Sequence, residues 1–318
     1  MDLRQLRYFV TVAEELHFSR ASARLHLAQS ALSAQIRRLE AEVGGPLLVR
    51  STRRVSLTPA GEALLSDARS ILGAVDGAVT RARALARGEE STLVIGSQGP
   101  APGALLSPLL ARFGAQHPQV RVEIRAFDFN DTVDGIRHGR ADLAFLYAPL
   151  HEPDLEVVPL LSEQRVVVVP ADHRLAGHRQ LTPVDLEGEM FITQPSSAPL
   201  EWRDFWLLVD ELGHRPALSP YIGETLEEWL TLIGRGEGID TCPAIIGRYY
   251  AWPEVRFIPL ADAAPSTLVL VHHREVRQPL VREFVALAVE IAANAARNSD
   301  TAYTLPAADA VPTVPGRR

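Results

Sequence analysis

Gln29, Ser30, Ser33, Arg37 and Arg38 lie within ten residues of each other, and their spacing follows a helix. Between them Leu32, Ile36, Leu39 and Val43 recur at steps of four, three and four, the signature of an amphipathic helix. The polar face of that helix carries Ser30, Ser33, Ala34, Arg37 and Arg38, with Gln29 and Ser30 at its amino end. A few residues later Ser51-Thr52-Arg53-Arg54 separates the apolar runs Leu47–Val49 and Val55–Leu57. That pattern reads as a β-hairpin with a cationic tip, suited to phosphate or a minor groove. All 32 basic residues are Arg, so each cationic contact is a planar fork able to grip phosphate or guanine.

The side chains that could support catalysis are scattered. Cys242 sits in the apolar stretch GIDTCPAI, where a cysteine behaves as a small buried hydrophobe. His272 and His273 are neighbours on an apolar strand and point to opposite faces, so they do not share a metal. His151, His173 and His178 have no ligand spacing, and Gly-rich GRGEG at 234–238 follows a helix rather than a strand. No nucleophile elbow or nucleotide fingerprint is present, so the expectation is a binding protein, not an enzyme, with no cofactor or metal.

The elements that hold these residues follow from periodicity. Leu3, Leu6, Phe9, Val10 and Ala13 mark a first helix, and Ser19 is the expected cap of a second, with Ala21 and Leu25 inward. A turn at His26–Ala28 leads into the Arg-bearing helix, which makes the group a helix-turn-helix followed by a wing. Thr58-Pro59 then starts a long helix, expected to end near Arg87-Gly88. Leu64, Ala68, Ile71, Val75, Ala78, Ala82 and Leu85 form a heptad seam along it. A lone helix has no partner for such a seam. The reading is a dimer through this helix, set against packing on its own domain.

Composition agrees. The chain has 318 residues, 47% hydrophobic and 22% charged, enough for about two domains. The single cysteine allows no internal disulfide, and no apolar run reaches the roughly 18 residues of a membrane span. The start has no signal-peptide block, so a cytoplasmic protein without a membrane partner is expected. Charge is unevenly spread: residues 1–60 carry nine Arg against five acids, a net +4, which leaves −11 on the remainder. A basic head on an acidic body confines nucleic-acid binding to the head.

Residues 91–297 alternate strand and helix patterns, which predicts an α/β fold with mainly parallel strands in two lobes. Ligands of such folds sit at the carboxyl ends of strands. The candidate loops are Ser97, Gln98, Gly99 and Pro100 after the first strand, and Thr193 and Gln194 with Ser196 and Ser197 after a later one. Strand ends at Phe127–Phe129 and Phe145–Tyr147, together with Glu224, Thr225 and Gly236–Ile239, are candidate walls, and Asp128, Glu224 and Arg203 are the charges of interest. The helix start after Gly103 favours an anionic or carbonyl ligand. The tail from 298 to 318 is Pro- and Ala-rich and is expected to be disordered.

The stretch from Leu3 to Leu65, with QSALSAQIRRLE, GGPLLVR and LTPAG in order, strongly resembles the amino-terminal domain of LysR-type transcriptional regulators. The resemblance implies a winged helix-turn-helix over 1–58, a linker and dimerisation helix over 59–88, and a two-lobed α/β effector-binding domain of periplasmic-binding-protein type over 91–297. Lobe I would hold 91–161 and 266–297, and lobe II 162–265. It implies that Gln29, Ser30 and Ser33 read base edges and that Arg53 or Arg54 serves the wing. Double-stranded DNA with an interrupted inverted repeat, a small effector, self-association to dimer or tetramer and contact with RNA polymerase are its implied partners. Two positions depart from the family pattern: Ser30 stands where Pro is common, and Ala34 where Arg is common. A bare solute-binding protein and a nucleoid-type DNA binder are the alternatives.

Overall fold

The computed structural model describes residues 1–50, 55–86, 91–100, 103–130, 133–275, 278–297, 303, 304 and 306. The chain divides into two compact units, Met1–Ala82 and Arg83–Arg318.

The first unit opens with α1 (Leu3–Glu15), α2 (Phe18–Arg24) and α3 (Gln29–Val43). A hairpin of β1 (Leu48–Arg50) and β2 (Val55–Leu57) follows, then α4 (Pro59–Ala86). A capping box starts α1: the Gln5 N–H donates to Asp2 Oδ1 at 2.8 Å and the Asp2 N–H to Gln5 Oε1 at 2.9 Å. The expected cap at Ser19 is corrected. The cap of α2 is His17, whose Nδ1 accepts the Ser19 N–H at 3.2 Å, because the chain leaves α1 through left-handed Leu16 and coils again at Phe18. Phe9, Val12, Ala21, Leu32, Ile36 and Leu39 form the core. Val43 is 44% exposed rather than buried, since left-handed Gly44 (φ 85°) ends α3 there. The wing strands pair antiparallel, with Leu48 opposite Leu57 and Arg50 opposite Val55. Arg53 and Arg54 lie outside the described residues.

Thr58 caps α4 as expected: Gly61 N–H donates to its Oγ1 at 3.0 Å, while Oγ1 donates to the Pro46 carbonyl at 2.8 Å. The heptad seam is divided. Ala68 is buried in the head core with Leu64 against it, whereas Ile71, Ala78 and Ala82 are exposed. The Leu85 side chain and the helix end near Arg87-Gly88 lie outside the described residues.

The second unit begins with β3 (Ser91–Gln98), α5 (Gly103–Gln116), β4 (Val120–Phe127), α6 (Asp134–Arg137), β5 (Leu143–Tyr147) and β6 (Leu155–Glu163). It continues with β7 (Arg165–Pro170), β8 (Met190–Thr193), α7 (Leu200–Trp206), α8 (Val209–Leu212), β9 (Ala217–Ile222) and α9 (Leu226–Gly234). It ends with β10 (Asp240–Pro243), α10 (Ala244–Tyr249), β11 (Val255–Pro259), β12 (Ser266–His273), α11 (Pro279–Arg297) and β13 (Tyr303–Thr304). One lobe is built on a six-stranded sheet in the order β13-β6-β12-β5-β3-β4. The other holds the sheets β10-β7-β11 and β8-β9.

The expectation of mainly parallel strands is corrected. β3 runs parallel to β4 and β5, and β8 to β9. β12 runs antiparallel to β5 and β6, and β7 runs antiparallel to β10 and β11. The cause in the larger sheet is the double crossing between lobes: the chain leaves along β6 and returns along β12, so these neighbours run in opposite directions. The tail expectation is corrected in part, because β13 pairs antiparallel with Ser162 and Glu163 of β6. Except for residue 306, the rest of 298–318 lies outside the described residues.

Arg165, the first residue past the crossing, anchors the smaller lobe. Its guanidinium is fully buried, pairs with Glu211, donates to the Phe205 carbonyl at 2.6 Å and the Ala264 carbonyl at 2.7 Å, and lies 4.1 Å from the Phe205 ring centroid.

Candidate functional site

In the first unit α3 turns Leu32, Ile36 and Leu39 into the core, which leaves Gln29, Ser30, Ala34, Arg37 and Arg38 exposed and Ser33 half-buried. Ser19 Oγ donates to Gln29 Oε1 at 2.9 Å, so α2 orients the Gln29 amide. Arg37 Nε donates to the Ser33 carbonyl at 3.3 Å, and Arg38 pairs with Glu42 one turn on at 3.3 Å. The face mixes amide, hydroxyl and guanidinium groups on a helix whose Leu32, Ile36 and Leu39 are committed to the core. Such a face suits major-groove hydrogen bonding.

The second unit holds a cavity of about 60 Å³ where its two lobes meet. Gln98 and Gly99, at the end of β3, and Gln194, just past β8, line it together. Six aromatic side chains complete most of the wall: Phe127, Phe129, Tyr147, Trp202, Trp206 and Trp229. Phe127 reaches its place because Gly96 and Gly135 have no side chains. A Cβ on Gly96 would sit 2.5 Å from the ring, and one on Gly135 2.3 Å. Trp202 Nε1 donates to the Tyr147 carbonyl at 3.0 Å, and the Trp202 and Trp206 rings meet edge to face at 5.8 Å.

Hydrogen bonds join the lobes beside the cavity. Ser197 Oγ donates to Asn130 Oδ1 at 2.7 Å, and the Phe129 N–H to the Glu224 carbonyl at 3.1 Å. Tyr147 donates its hydroxyl to Glu163 Oε1 at 3.0 Å, while the Ile245 N–H reaches Glu163 Oε2 at 2.8 Å. Burial raises the Glu163 carboxyl above its usual range despite these donors. Behind Gln194 lies Asp240, wholly buried, which accepts from Trp229 Nε1 at 2.7 Å, Thr241 N at 2.8 Å and Gln194 Nε2 at 2.9 Å. Burial outweighs those three bonds and pushes its carboxyl up to about 8.

Of the residues expected from the sequence, Gln98, Gly99, Phe127, Asp128, Phe129, Tyr147 and Gln194 line the cavity. Several others do not. Phe145 lies deeper along β5 and packs against Phe284 of α11, at 6.5 Å; only Tyr147, at the strand end, reaches the cavity. Ser97 donates to the Gly99 carbonyl at 3.1 Å, Pro100 is half-buried outside the lining, and the Thr193 hydroxyl turns to the Gln194 carbonyl at 3.5 Å. Thr225 is used as the cap of α9, accepting the Glu228 N–H at 3.2 Å. Glu224 is exposed and takes a hydrogen bond from Asn130 Nδ2 at 3.4 Å, and Arg203 donates to the Ala198 carbonyl at 3.2 Å.

Sequence reading missed Trp202, Trp206, Trp229, Thr241 and Cys242 as lining residues. The tryptophans sit at apolar helix positions that read as core, and no local signal separates a cavity wall from core. Cys242 is buried, as its surroundings suggested, and burial together with Asp240 and Glu163 raises its thiol well above the ordinary range. A thiol held protonated is a poor nucleophile. Among the described residues no cluster of three His, Cys, Asp or Glu side chains is placed to hold a metal ion. No described helix is long and apolar enough to cross a membrane.

A winged helix-turn-helix on one unit and a two-lobed α/β ligand cleft on the other define a ligand-responsive transcriptional regulator. Residues 3–62 match the bacterial regulatory helix-turn-helix proteins of the lysR family, and residues 86–293 match the LysR substrate binding domain. The chain belongs to the LysR family of transcriptional regulators, which are not enzymes. It is 34% identical over 294 residues to the Hca operon transcriptional activator HcaR of Escherichia coli (strain K12), covering 91% of this chain and 98% of that protein. The crystal structure of CbnR, a LysR family transcriptional regulator, superposes with a TM-score of 0.57 at 26% identity, covering 92% of this chain and 99% of that one. Full-length CbnR complexed with its target DNA gives a TM-score of 0.50 at 27% identity, over 92% and 100% of the two chains.

Proposed function

We propose that this regulator binds an interrupted inverted repeat in double-stranded DNA and answers to a small effector held in the aromatic cavity. Residues 1–58 serve as the reader, with Gln29, Ser30 and Ser33 at base edges. Ala34 lies on the same face, Arg37 and Arg38 serve the backbone, and Arg53 or Arg54 serves the wing. Residues 59–88 act as linker and pair two copies through the seam at Ile71, Ala78 and Ala82, which a single chain leaves exposed. Residues 91–297 bind the effector, between lobe I (91–161 and 266–297) and lobe II (162–265). The protein works in the cytoplasm, as a dimer or a tetramer, and bound to its promoter it meets RNA polymerase.

The observation that carries the effector reading is the convergence of Gln98 and Gln194 on one cavity from two different sheets. A ligand that touches both lobes binds one lobe arrangement better than another, which is the condition for shifting a conformational equilibrium.

The test is a footprint of the purified protein on the DNA upstream of its own gene, at low and moderate salt. Protection of a two-fold repeat is the expected result. A folded protein that protects nothing at low salt would favour a bare solute-binding protein. Protection without sequence preference would favour a nucleoid-type binder.

A further inference from the structure

The cavity carries an unusual polar remainder. Gln98, Gln194 and Trp206 are 7%, 3% and 3% exposed, and each keeps one buried polar atom without a hydrogen-bond partner: Gln98 Nε2, Gln194 Oε1 and Trp206 Nε1. All three residues line the cavity. Buried polar atoms are rarely left unpaired, and a group of them in one cavity marks the place of a complementary partner. The set comprises two donors and one acceptor. The acceptor is well defined, because Gln194 Nε2 is already committed to Asp240 Oδ2 and leaves Oε1 as the other end of the amide.

The charges around it are equally definite. Among the described residues lining the cavity there is no Arg, Lys or His, and Asp128 is the only one with a carboxyl group. The next carboxyls outward, Asp240 behind Gln194 and Glu163 behind Tyr147, are pushed by burial towards their protonated forms. An anion placed here meets no cation, and it offers Gln194 Oε1 no proton. The wall is six aromatic rings, a surface that suits the face of a flat ring.

We propose that the effector is an uncharged, flat, single-ring aromatic compound that carries a carbonyl-type acceptor next to an N–H or O–H donor, and that its carboxylate analogue is discriminated against. The acceptor takes the Gln98 and Trp206 N–H groups, the donor serves Gln194 Oε1, and the ring stacks among the aromatic side chains. This deepens the effector reading above and rests on it. Of the two ligand types the loop after β3 suggested, anionic or carbonyl, the cavity selects the carbonyl.

Benzamide and benzoate test this directly, since they share size and shape and differ in charge and in the amide donor. Three of the four tryptophans line the cavity, so tryptophan fluorescence of the full chain, without DNA, reports occupancy. The expected result is a saturable change with benzamide and at least tenfold weaker binding of benzoate. Gln98→Leu, which leaves the Asp240 cluster untouched, is expected to weaken benzamide at least tenfold with an unchanged melting temperature. Equal or tighter binding of benzoate, no saturable response to benzamide, or full affinity in a folded Gln98→Leu protein would each overturn the proposal. The readout is independent of the footprint. Loss of DNA protection together with intact benzamide selectivity would therefore strike the regulator reading and not the ligand class.

Discussion

Gln194 Nε2 and Trp229 Nε1 converge on one carboxylate oxygen, Asp240 Oδ2, at 2.9 and 2.7 Å. The arrangement ties the loop after β8, helix α9 and strand β10 into one buried polar knot directly behind the cavity wall. It sets which end of the Gln194 amide the cavity receives.

That knot predicts a pH effect on stability. Asp240 ionises near 4 in the unfolded chain, and its folded value is raised to about 8. Between those limits the folded protein holds a proton that the unfolded chain has lost, so stability falls as pH rises through the window and is level outside it. The slope from this group reaches at most about 1.4 kcal/mol per pH unit. Urea denaturation at pH 5 and pH 8 is expected to show a decline in the wild type that Asp240→Asn largely abolishes. An equal decline in both proteins would assign the effect to other groups.

Gly135 is held to glycine by the Phe127 ring. Adding one methyl group there is expected to overpack the site, at a cost of about 1–3 kcal/mol. Gly135→Ala should therefore lower the melting temperature. Phe127→Leu in the same chain should recover part of the loss, a non-additivity that a double-mutant cycle measures. Simple additivity of the two changes would show that the ring does not limit the glycine.

The buried pair Arg165–Glu211 should be asymmetric in its response. Glu211→Ala leaves a guanidinium in the interior without its carboxylate, expected to cost about 3–5 kcal/mol. The double change Arg165→Met with Glu211→Leu removes both charges and is expected to cost less than Glu211→Ala alone. Denaturant midpoints of the three proteins decide the matter.

On the DNA face, Ser33→Ala or Gln29→Ala is expected to relax base preference by about 1–3 kcal/mol at one position while the melting temperature holds. Arg53→Ala should weaken binding to many sequences alike and reduce the slope of log affinity against log salt by about 0.9. Binding assays on a randomised operator library at several salt concentrations separate the two effects. Unchanged preference and unchanged slope would place the reading face elsewhere.

Much of the frame was readable locally. Thr58-Pro59 announces α4, and the apolar spacing of Leu226–Gly234 gives α9 at its observed bounds, because caps and helical periodicity are properties of neighbouring residues. Readings that went astray depend on what a segment meets. The helical pattern across residues 202–212 is broken at left-handed Leu208 into α7 and α8, and α6 is only the single turn Asp134–Arg137. Strand β9 is exposed at most of its positions, so it showed no alternating pattern to find.

The amino-acid sequence by itself determined a basic winged head, a long capped helix with a heptad seam, an alternating α/β body and the polar loops at Gln98 and Gln194. Each of these is written in spacing, charge and capping over a few consecutive residues. Only the tertiary structure decided strand direction, since a strand's composition does not say which way its neighbour runs. Only the tertiary structure brought Trp202, Trp206 and Trp229, buried in the core of the second unit, to face Phe127 and Tyr147 around one cavity. The physical reason is that an apolar helix stripe needs only to leave water. Whether it meets core or a partner lobe is settled by how the chain crosses between the lobes, at Glu163–Arg165 and again before Ser266.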